Sequence, residues 1–203
     1  MANEHYFSST PESELKRRAI HARIAGEVFE LETANGVFSP ERIDTGTQVL
    51  LATVPAPPPG GHLLDLGCGW GPIALSLARD APNATVWAVD VNERALELVR
   101  GNAARLGLTN IRTALPDDVP EDVRFMTIWS NPPIRVGKNE LHGLLERWIP
   151  RLDDDCDAWL VVQKNLGSDS LQRWMQTEFP ENYSFVRVAT NKGYRIIRAR
   201  KRP

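Results

Sequence analysis

A glycine-rich segment at residues 65–71, Asp-Leu-Gly-Cys-Gly-Trp-Gly, constrains the fold of this chain more than any other stretch. Residues 62–66 predict a short buried strand that runs into it, and the apolar residues 72–79 predict a helix that follows it. Pro72 stands near the first turn of that helix, where a missing N–H costs nothing. A strand that turns through glycines into a helix presents backbone N–H groups and a positive helix end to a ligand. The segment therefore predicts a ligand-binding crevice.

Two carboxylates accompany the glycines. Asp65 lies at the carboxyl-terminal tip of the first strand, and Asp90 follows a second predicted strand at residues 84–89. A carboxylate in the position of Asp90 can bind a ribose. The fingerprint of nicotinamide-dinucleotide sites requires a glycine where this chain has Pro72, and it has no counterpart of Asp65. The alternative interpretation is that the glycines only form a turn and bind no ligand. The spacing of strand, helix and acid disfavours it.

The composition is that of an ordinary globular domain. The chain has 203 residues, of which 42% are hydrophobic and 25% are charged, enough for a complete core. We expect one domain, with residues 1–60 as an N-terminal extension and residues 61–203 as the core. No run of about 18 apolar residues and no signal-peptide pattern occurs, so we expect neither a membrane protein nor a secreted one. The two cysteines, Cys68 and Cys156, fit a reducing cytoplasm.

Strands and helices alternate from residue 62 onward. Further helices are predicted at residues 92–106, 140–152 and 169–179, and further strands at 110–114, 125–129, 158–163, 184–189 and 195–199. Alternation of this kind predicts an α/β fold with a mainly parallel sheet, here of seven strands, covered by helices on both faces. The turn at residues 191–193 is too tight for a crossover, so the last two strands must be antiparallel.

The N-terminal extension is predicted to be β-rich. Residues 17–24 and 27–33 fit a hairpin with a turn at residues 25–26, and a helix over residues 12–24 is the competing interpretation. The aromatic residues within 5–8 predict a terminus that packs against the protein. The next predicted elements are a strand at 36–39, a helix at 48–52 capped by residues 44–47, and a proline-rich connector at 55–61.

The glycine segment and Asp90 resemble motifs I and II of class I S-adenosylmethionine (SAM) methyltransferases. The resemblance implies a Rossmann-like core that binds SAM and releases S-adenosylhomocysteine. No spacing typical of metal ligands occurs in the sequence, so we expect no metal. Cys68 is expected to be a small packed residue of the cofactor loop, because no base adjoins it in sequence that would make it a reactive thiol.

A second motif, Asn131-Pro132-Pro133, follows the strand predicted at residues 125–129. In open α/β sheets, ligands bind outside the carboxyl ends of the strands, so this loop should share a crevice with the glycine turn. An exocyclic amine on a nucleobase is a poor nucleophile, because its lone pair delocalises into the ring. The Asn131 side-chain oxygen and the Pro132 carbonyl oxygen can accept its two N–H groups and direct the nitrogen toward a methyl group. Catalysis by positioning then needs no strong base.

Residues 131–138, Asn-Pro-Pro-Ile-Arg-Val-Gly-Lys, resemble the small-domain methyltransferases related to ribosomal RNA small subunit methyltransferase C. Those enzymes use SAM to methylate N2 of guanine in 16S ribosomal RNA. The similarity covers nearly the whole chain, including residues 36–39, 44–47, 161–164 and 192–195. Two departures are clear. The C-type enzymes have two fused methyltransferase-like domains, and they have Phe where this chain has Ile134, which removes a stacking partner for the target base.

The resemblance assigns residues to both ligands. Those implied at the cofactor are Thr45, Gly46, Asp65, Gly67, Cys68, Gly69, Gly71, Asp90, Val91, Asp118 and Asn131. Asp118 is assigned because related enzymes place an acid or amide near the adenine, and a solvated acidic loop is the alternative. Asn131, Pro132 and Pro133 are implied as the catalytic residues.

An RNA substrate would have to bind through local patches, because the net charge is −2. Arg135 and Lys138 flank the catalytic loop and are candidates for phosphate contacts, and Ile134 is a candidate contact for the base. For the basic residues within 16–23 and 198–202, a solvated face is as good an interpretation as an RNA contact. We expect a monomer.

Three functions remain open. The first is methylation of guanine N2 in RNA. The second is methylation of adenine N6 or of a glutamine side chain in protein, by enzymes that usually have an aromatic residue in place of Ile134. The third is a non-catalytic module that only binds ribosomal RNA, which would predict a damaged cofactor turn. The intact Asp65, glycines and Asp90 disfavour that module.

Overall fold

The computed structural model describes residues 14–203, and at Arg135 only the backbone, so the prediction for residues 5–8 lies outside the described residues. The strands are β1 (Arg17–Ile24), β2 (Glu27–Ala34), β3 (His62–Leu66), β4 (Thr85–Val89), β5 (Ile111–Ala114), β6 (Phe125–Ser130), β7 (Leu152–Gln163), β8 (Tyr183–Asn191) and β9 (Tyr194–Lys201). The helices are α1 (Thr45–Leu51), α2 (Pro72–Asp80), α3 (Glu93–Arg105), α4 (Lys138–Trp148) and α5 (Ser168–Glu178). Short 3-10 turns lie at Pro116–Asp118, Ile134–Val136, Ile149–Arg151 and Lys164–Leu166.

Seven strands form one sheet in the order β5-β4-β3-β6-β7-β9-β8. The strands from β5 to β7 run parallel, and β9 is antiparallel to both of its neighbours. The predicted α/β, Rossmann-like fold with an antiparallel strand in the C-terminal hairpin is therefore confirmed. Among the described helices, none combines the length and apolar character that a membrane span requires.

Helices cover both faces of the sheet. Leu63 packs in a cluster with side chains of α1, α2 and α3, whereas its neighbour Leu64 packs with side chains of α4 and α5. Because successive strand residues point to opposite faces, both faces of the central strands must be apolar. The resulting core holds the carboxyl ends of β3, β4 and β6 in fixed positions.

Residues 17–34 form the predicted hairpin. β1 and β2 pair along their full length around a turn in which Ala25 and Gly26 have φ angles of 47° and 87°. Ile20 and Ile24 are buried on one face of β1, and the residues between them alternate with that face. The competing helix over residues 12–24 is wrong for the described part of that range, because the apolar residues repeat every second position.

A buried asparagine attaches this hairpin to the core. Asn102 of α3 is fully buried, and its side-chain amide donates to the carbonyl oxygens of Glu32 in β2 (2.9 Å) and Trp70 in the glycine turn (3.1 Å). Its side-chain oxygen accepts from the Glu32 N–H at 2.8 Å. One side chain thus connects β2, α3 and the glycine turn.

The strand predicted at residues 36–39 is wrong, because these residues form a turn and bends. Their carbonyl groups bond to side chains instead of to a neighbouring strand. The Asn92 side-chain amide donates to the Gly36 carbonyl at 2.7 Å, and the Trp70 indole N–H donates to the Ser39 carbonyl at 3.1 Å. Backbone groups satisfied in this way do not need a sheet partner.

The helix predicted at residues 140–152 and the strand predicted at 158–163 have wrong boundaries. The helix gives way to a 3-10 turn that contains Pro150, and the strand already begins at Leu152. The acidic start of β7 disfavours a strand in isolation. It is stabilised by ion pairs with β9, which join Asp154 to Lys201 (2.8 Å) and Asp155 to Arg200 (3.3 Å).

We predict that Asn102→Ala destabilises the protein by about 2–4 kcal/mol, because it removes the partners of one buried and two part-buried backbone groups. Thermal and urea unfolding would measure the change. Asn83→Ala alters an exposed asparagine and should change stability by less than about 0.5 kcal/mol. Equal stability of the two variants would show that Asn102 does not hold the hairpin.

Candidate active site

The three glycines of the turn all have positive φ angles, 76° at Gly67, 53° at Gly69 and 101° at Gly71. Such angles are strained for other residues. A Cβ atom added at Gly67 or Gly69 would meet no described atom within 4 Å, whereas one at Gly71 would lie 3.0 Å from Val99 Cγ2. The first two glycines thus leave space in front of α2, and the third allows close packing of α2 against α3.

Asp90 is held against this turn at the end of β4. Its carboxylate accepts hydrogen bonds from the Gly69 N–H at 2.9 Å and from the Asn92 N–H at 3.0 Å. Burial raises the pKa of the Asp90 carboxyl, and these backbone hydrogen bonds oppose the rise. A carboxylate has about four acceptor sites, so two ribose hydroxyls can still be accommodated.

Asp65 carries an unpaired oxygen in the interior. The residue is fully buried, and its Oδ2 accepts from the Ala74 N–H at 2.8 Å, whereas Oδ1 has no hydrogen-bond partner among residues 14–203. Burial raises the pKa of the Asp65 carboxyl well above its usual range, with a further contribution from the charge of Asp90. A buried carboxylate oxygen without a partner is costly, so this atom fits a ligand that brings a positive charge. SAM carries an ammonium group and fits this requirement.

The Asn131 side chain is clamped at the end of β6. Its amide nitrogen donates to the Asp44 carboxylate at 3.0 Å and to the Thr47 hydroxyl at 3.1 Å. An ionised carboxylate only accepts hydrogen bonds, so the nitrogen must face Asp44. The Asn131 side-chain oxygen consequently points the other way, and it bonds to no residue in the described part of the chain.

Asp44 has a second role in the same place. Its carboxylate also accepts from the Gly46 N–H at 2.7 Å and so caps the N-terminus of α1. The sequence indicates the cap, but it does not indicate that Asp44 and Thr47 orient Asn131, which lies 87 and 84 residues away. The only signal is that residues 44–47 belong to the segments on which the family resemblance rests.

The prolines after Asn131 form a tight turn. Pro133 has φ −75° and ψ 76°, and the Ile134 N–H donates to the Pro132 carbonyl at 2.9 Å. These values describe an inverse γ-turn. A carbonyl oxygen has two lone pairs, so that of Pro132 keeps one for a further donor.

Other residues predicted at the cofactor lie near these groups. Thr45 and Gly46 are the first residues of α1, and a Cβ at Gly46 would come within 2.8 Å of Tyr194, so a larger residue here would displace the tyrosine ring. Cys68 is buried in the turn, and burial raises the pKa of its thiol well above the usual range. The thiol is therefore protonated at neutral pH and packs as a small apolar group.

Val91 and Asp118 follow the ends of β4 and β5. Val91 is 39% exposed beside Asp90. Asp118 is exposed, whereas its neighbour Asp117 is bound to Arg147 at 2.7 Å. The structure therefore leaves the Asp118 carboxylate accessible at the edge of the sheet that carries the glycine turn.

The residues predicted to bind substrate begin right after the prolines. Ile134 and Lys138 line a small cavity of about 200 Å³ with Leu141 and Leu166, and the Arg135 side chain is not described. A larger cavity of about 690 Å³ lies between the β1–β2 hairpin, α1 and α2, away from Asp65, Asp90 and Asn131. The residues described contain no group of three His, Cys, Asp or Glu side chains able to hold a metal ion.

We predict that Asp65→Asn weakens SAM binding by roughly 10- to 100-fold, the loss expected for a charge-assisted hydrogen bond of about 1.5–3 kcal/mol. The same variant should gain stability relative to the wild type as the pH rises above about 4. The folded wild type binds the Asp65 proton more tightly than the unfolded chain does. Its stabilising contribution is therefore present below the unfolded-state pKa and is lost as the pH rises through the folded-state pKa.

Calorimetry with SAM and thermal unfolding of the SAM-free protein across pH would test both effects. Asp122→Asn, at an exposed acid, should change neither quantity. Unchanged SAM affinity in a folded Asp65→Asn protein would remove Asp65 from the cofactor site.

Comparisons with known proteins identify the family of this chain. The family model described as methyltransferase small domain matches residues 28–198. The uncharacterized protein YbxB of Bacillus subtilis is 36% identical over 98% of this chain and 99% of its own length. Ribosomal RNA small subunit methyltransferase C of Aeromonas hydrophila is 40% identical, over 61% of this chain and 35% of that enzyme.

A solved structure is similar over almost the whole chain. The 16S rRNA N2 G1207 methyltransferase of T. Thermophilus, in complex with AdoMet and guanosine, superimposes with a TM-score of 0.78 and 25% identity. The match covers 95% of this chain and 52% of that protein, so this chain spans about half of the solved relative and about a third of the curated C-type enzyme. The chain belongs to the methyltransferase small domain family and has the fold of a SAM-dependent methyltransferase.

Proposed function

We propose that this protein transfers a methyl group from SAM to the exocyclic N2 amine of a guanine in RNA, with 16S ribosomal RNA as the substrate. The observation that carries the methylation of a planar amine is the fixed orientation of the Asn131 amide, whose oxygen is left available at the strand ends. The enzyme works in the cytoplasm as a monomer with a single catalytic domain. When bound, SAM supplies an electrophilic methyl group and leaves as S-adenosylhomocysteine.

Asn131 and Pro132 hold the amine. The Asn131 side-chain oxygen and the free lone pair of the Pro132 carbonyl each accept one N–H of the target nitrogen. This pairing turns the nitrogen lone pair out of the plane of the base and toward the methyl group. Positive charge develops on the nitrogen as the N–C bond forms and the S–C bond breaks, so both acceptors bind the transition state more strongly than the ground state. The methylated arylammonium is strongly acidic and then loses one proton to solvent. Pro133 fixes the turn that presents the Pro132 carbonyl.

The glycine turn and its carboxylates hold the cofactor. Asp90 binds the ribose hydroxyls, and the unpaired Asp65 oxygen binds the ammonium group. Val91 and Asp118 would hold the adenine. Gly67 and Gly69 leave space in front of α2 that the cofactor would fill.

The substrate residues extend from the same loop. Ile134 contacts the target base through its aliphatic side chain, and Arg135 and Lys138 bind the phosphates that flank it. A base inside a paired stem cannot reach the strand ends, so the target guanine is single-stranded or flipped out of its helix. The solved relative supports this assignment, because its bound molecules are AdoMet and guanosine.

Nucleoside mass spectrometry of RNA from cells with and without this protein tests the function. We expect N2-methylguanosine in 16S ribosomal RNA only when the protein is present. Labelled SAM should place its methyl group in RNA and not in protein. N6-methyladenosine, or label in a protein glutamine, would replace the guanine assignment with one of the alternatives.

We predict that Asn131→Ala lowers kcat by roughly 10²–10³, the size of effect seen when one preorganised polar group is lost. SAM affinity should hold, because Asn131 acts on the developing charge. Single-turnover methylation and SAM calorimetry would separate the two. A near wild-type rate in Asn131→Ala would exclude the mechanism.

We predict that Asp44 acts as a positioning residue. Asp44→Ser keeps a good N-cap for α1, but serine is too short to reach the Asn131 amide. The variant should lose tenfold or more in kcat, because it loses roughly one hydrogen bond to a charged group. Its stability should stay within about 1 kcal/mol of the wild type. Thr47→Val, which removes the second acceptor without changing shape, should act in the same direction. Unchanged kcat in both variants would show that the amide needs no clamp.

A further inference from the structure

Most cations of the two basic groups that the sequence left open are paired with acidic residues of the protein itself. Near the N-terminus, Arg17 is paired with Glu32 at 2.8 Å and also with Glu97, and Arg18 is paired with Glu41 at 3.3 Å. At the C-terminus, the ion pairs join Arg198 and Arg200 to Asp157, Arg200 to Asp155, and Lys201 to Asp154. These cations are therefore poorly suited to bind an external anion.

A different set of cations is exposed at the edge of the sheet that carries the active site. This edge is formed by the carboxyl-terminal ends of the parallel strands. Lys138 opens α4, Lys164 follows the end of β7, and Lys192 lies in the turn between β8 and β9. All three are exposed, and none forms a salt bridge with any residue in 14–203. Since β6, β7 and β8 run parallel, these lysines follow the same strand ends as Asn131.

Direct contacts join this edge to the catalytic loop. The Lys164 N–H donates to the Gly193 carbonyl at 2.8 Å, which brings the end of β7 against the β8–β9 turn. The next residue, Tyr194, packs against Gly46 at the start of α1. Gly46 in turn donates its N–H to Asp44, the residue that holds the Asn131 amide. The lysine-bearing turn is thus separated from the catalytic clamp by a single aromatic ring.

Lys192 has a backbone conformation that does not favour lysine. Its φ angle is 48° and that of Gly193 is 79°, so the two residues occupy the left-handed positions of a tight hairpin turn. Asparagine or glycine is the residue of lowest strain at the first of these positions. Ala25 and Gly26 adopt the same pair of conformations in the β1–β2 turn, so the turn geometry fixes where the Lys192 side chain starts but does not itself require a lysine.

We propose that Lys164 and Lys192 extend the phosphate-binding surface of Lys138, and that an RNA strand leaving the active site runs along this edge from β6 past β7 to the β8–β9 turn. The inference rests on the proposed function, which it deepens by giving the path of the substrate. It requires a single-stranded segment next to the target guanine, because the lysines lie in line with the strand ends. The recognised chemistry is a series of phosphodiesters, without base readout.

The test uses the full-length variant Lys164→Gln/Lys192→Asn and a fluorescent single-stranded RNA that contains one guanine. Each phosphate contact on single-stranded RNA contributes about 0.7 to the slope of log affinity against log salt, so the slope should fall by about 1.4. Raising the salt from about 50 to about 200 mM should then weaken the variant's RNA binding about sevenfold less than that of the wild type. SAM affinity should be unchanged, and Lys192→Asn should not lower the melting temperature, because asparagine tolerates the left-handed conformation better.

The matched control is Arg173→Gln/Arg202→Gln, which removes two exposed cations away from the strand ends. It should keep the wild-type salt slope. Equal slopes for the test variant and the wild type would overturn the inference, as would equal losses in the test and control variants. If the test variant binds polyglutamate more weakly than the wild type does but binds RNA equally well, the edge is assigned to an acidic protein instead. Failure of the proposed function would be a different result from failure of this inference. The wild-type protein would then leave RNA unmethylated, whatever the salt dependence of RNA binding.

Discussion

The active site depends on three parallel strands that end at the same level of the sheet. β3 pairs with β4 on one side and with β6 on the other, so that Leu66 lies opposite both Val89 and Ser130. Two hydrogen bonds fix this alignment, from the Gly67 N–H to the Val89 carbonyl at 2.8 Å and from the Ser130 hydroxyl to the Leu66 carbonyl at 2.7 Å. A slip of one residue in β6 would turn its side chains to the opposite faces. The alignment therefore decides whether the glycine turn and the catalytic loop face each other.

Much of this arrangement could be predicted from local sequence. The glycine turn, the strands on either side of it and the place of Asp90 follow from short patterns whose physical meaning does not depend on the rest of the chain. The parallel sheet then follows from the alternation of strands and helices, and it brings residues 131–133 to the same edge. Asp65 was identified as a carboxylate of the crevice, but only the structure reveals that one of its oxygens is buried without a partner among the described residues.

The remaining features depend on side chains that meet across long distances in sequence. Neither Asn102 nor Asp44 has a pattern around it that indicates its distant partners. Residues 36–39 are predicted to be a strand but form bends, because carbonyl groups in this segment accept hydrogen bonds from side chains elsewhere in the chain. The start of β7 is hidden for a related reason. An acidic run is unfavourable in a strand unless cations lie opposite, and those cations belong to β9, some 45 residues later.

The chemistry of the clamp limits which substrates fit. An amide oxygen and a peptide carbonyl accept hydrogen bonds, but they are too weakly basic to remove a proton from an alkylammonium group. A lysine side chain, which is protonated at neutral pH, therefore has no lone pair to offer at this site. A planar amine with two N–H groups retains its lone pair and matches two acceptors. Guanine N2, adenine N6 and a glutamine amide share that form, so the loop alone does not choose among them. The choice falls to the surroundings, where exposed lysines at the strand ends favour a substrate with phosphates over a protein amide.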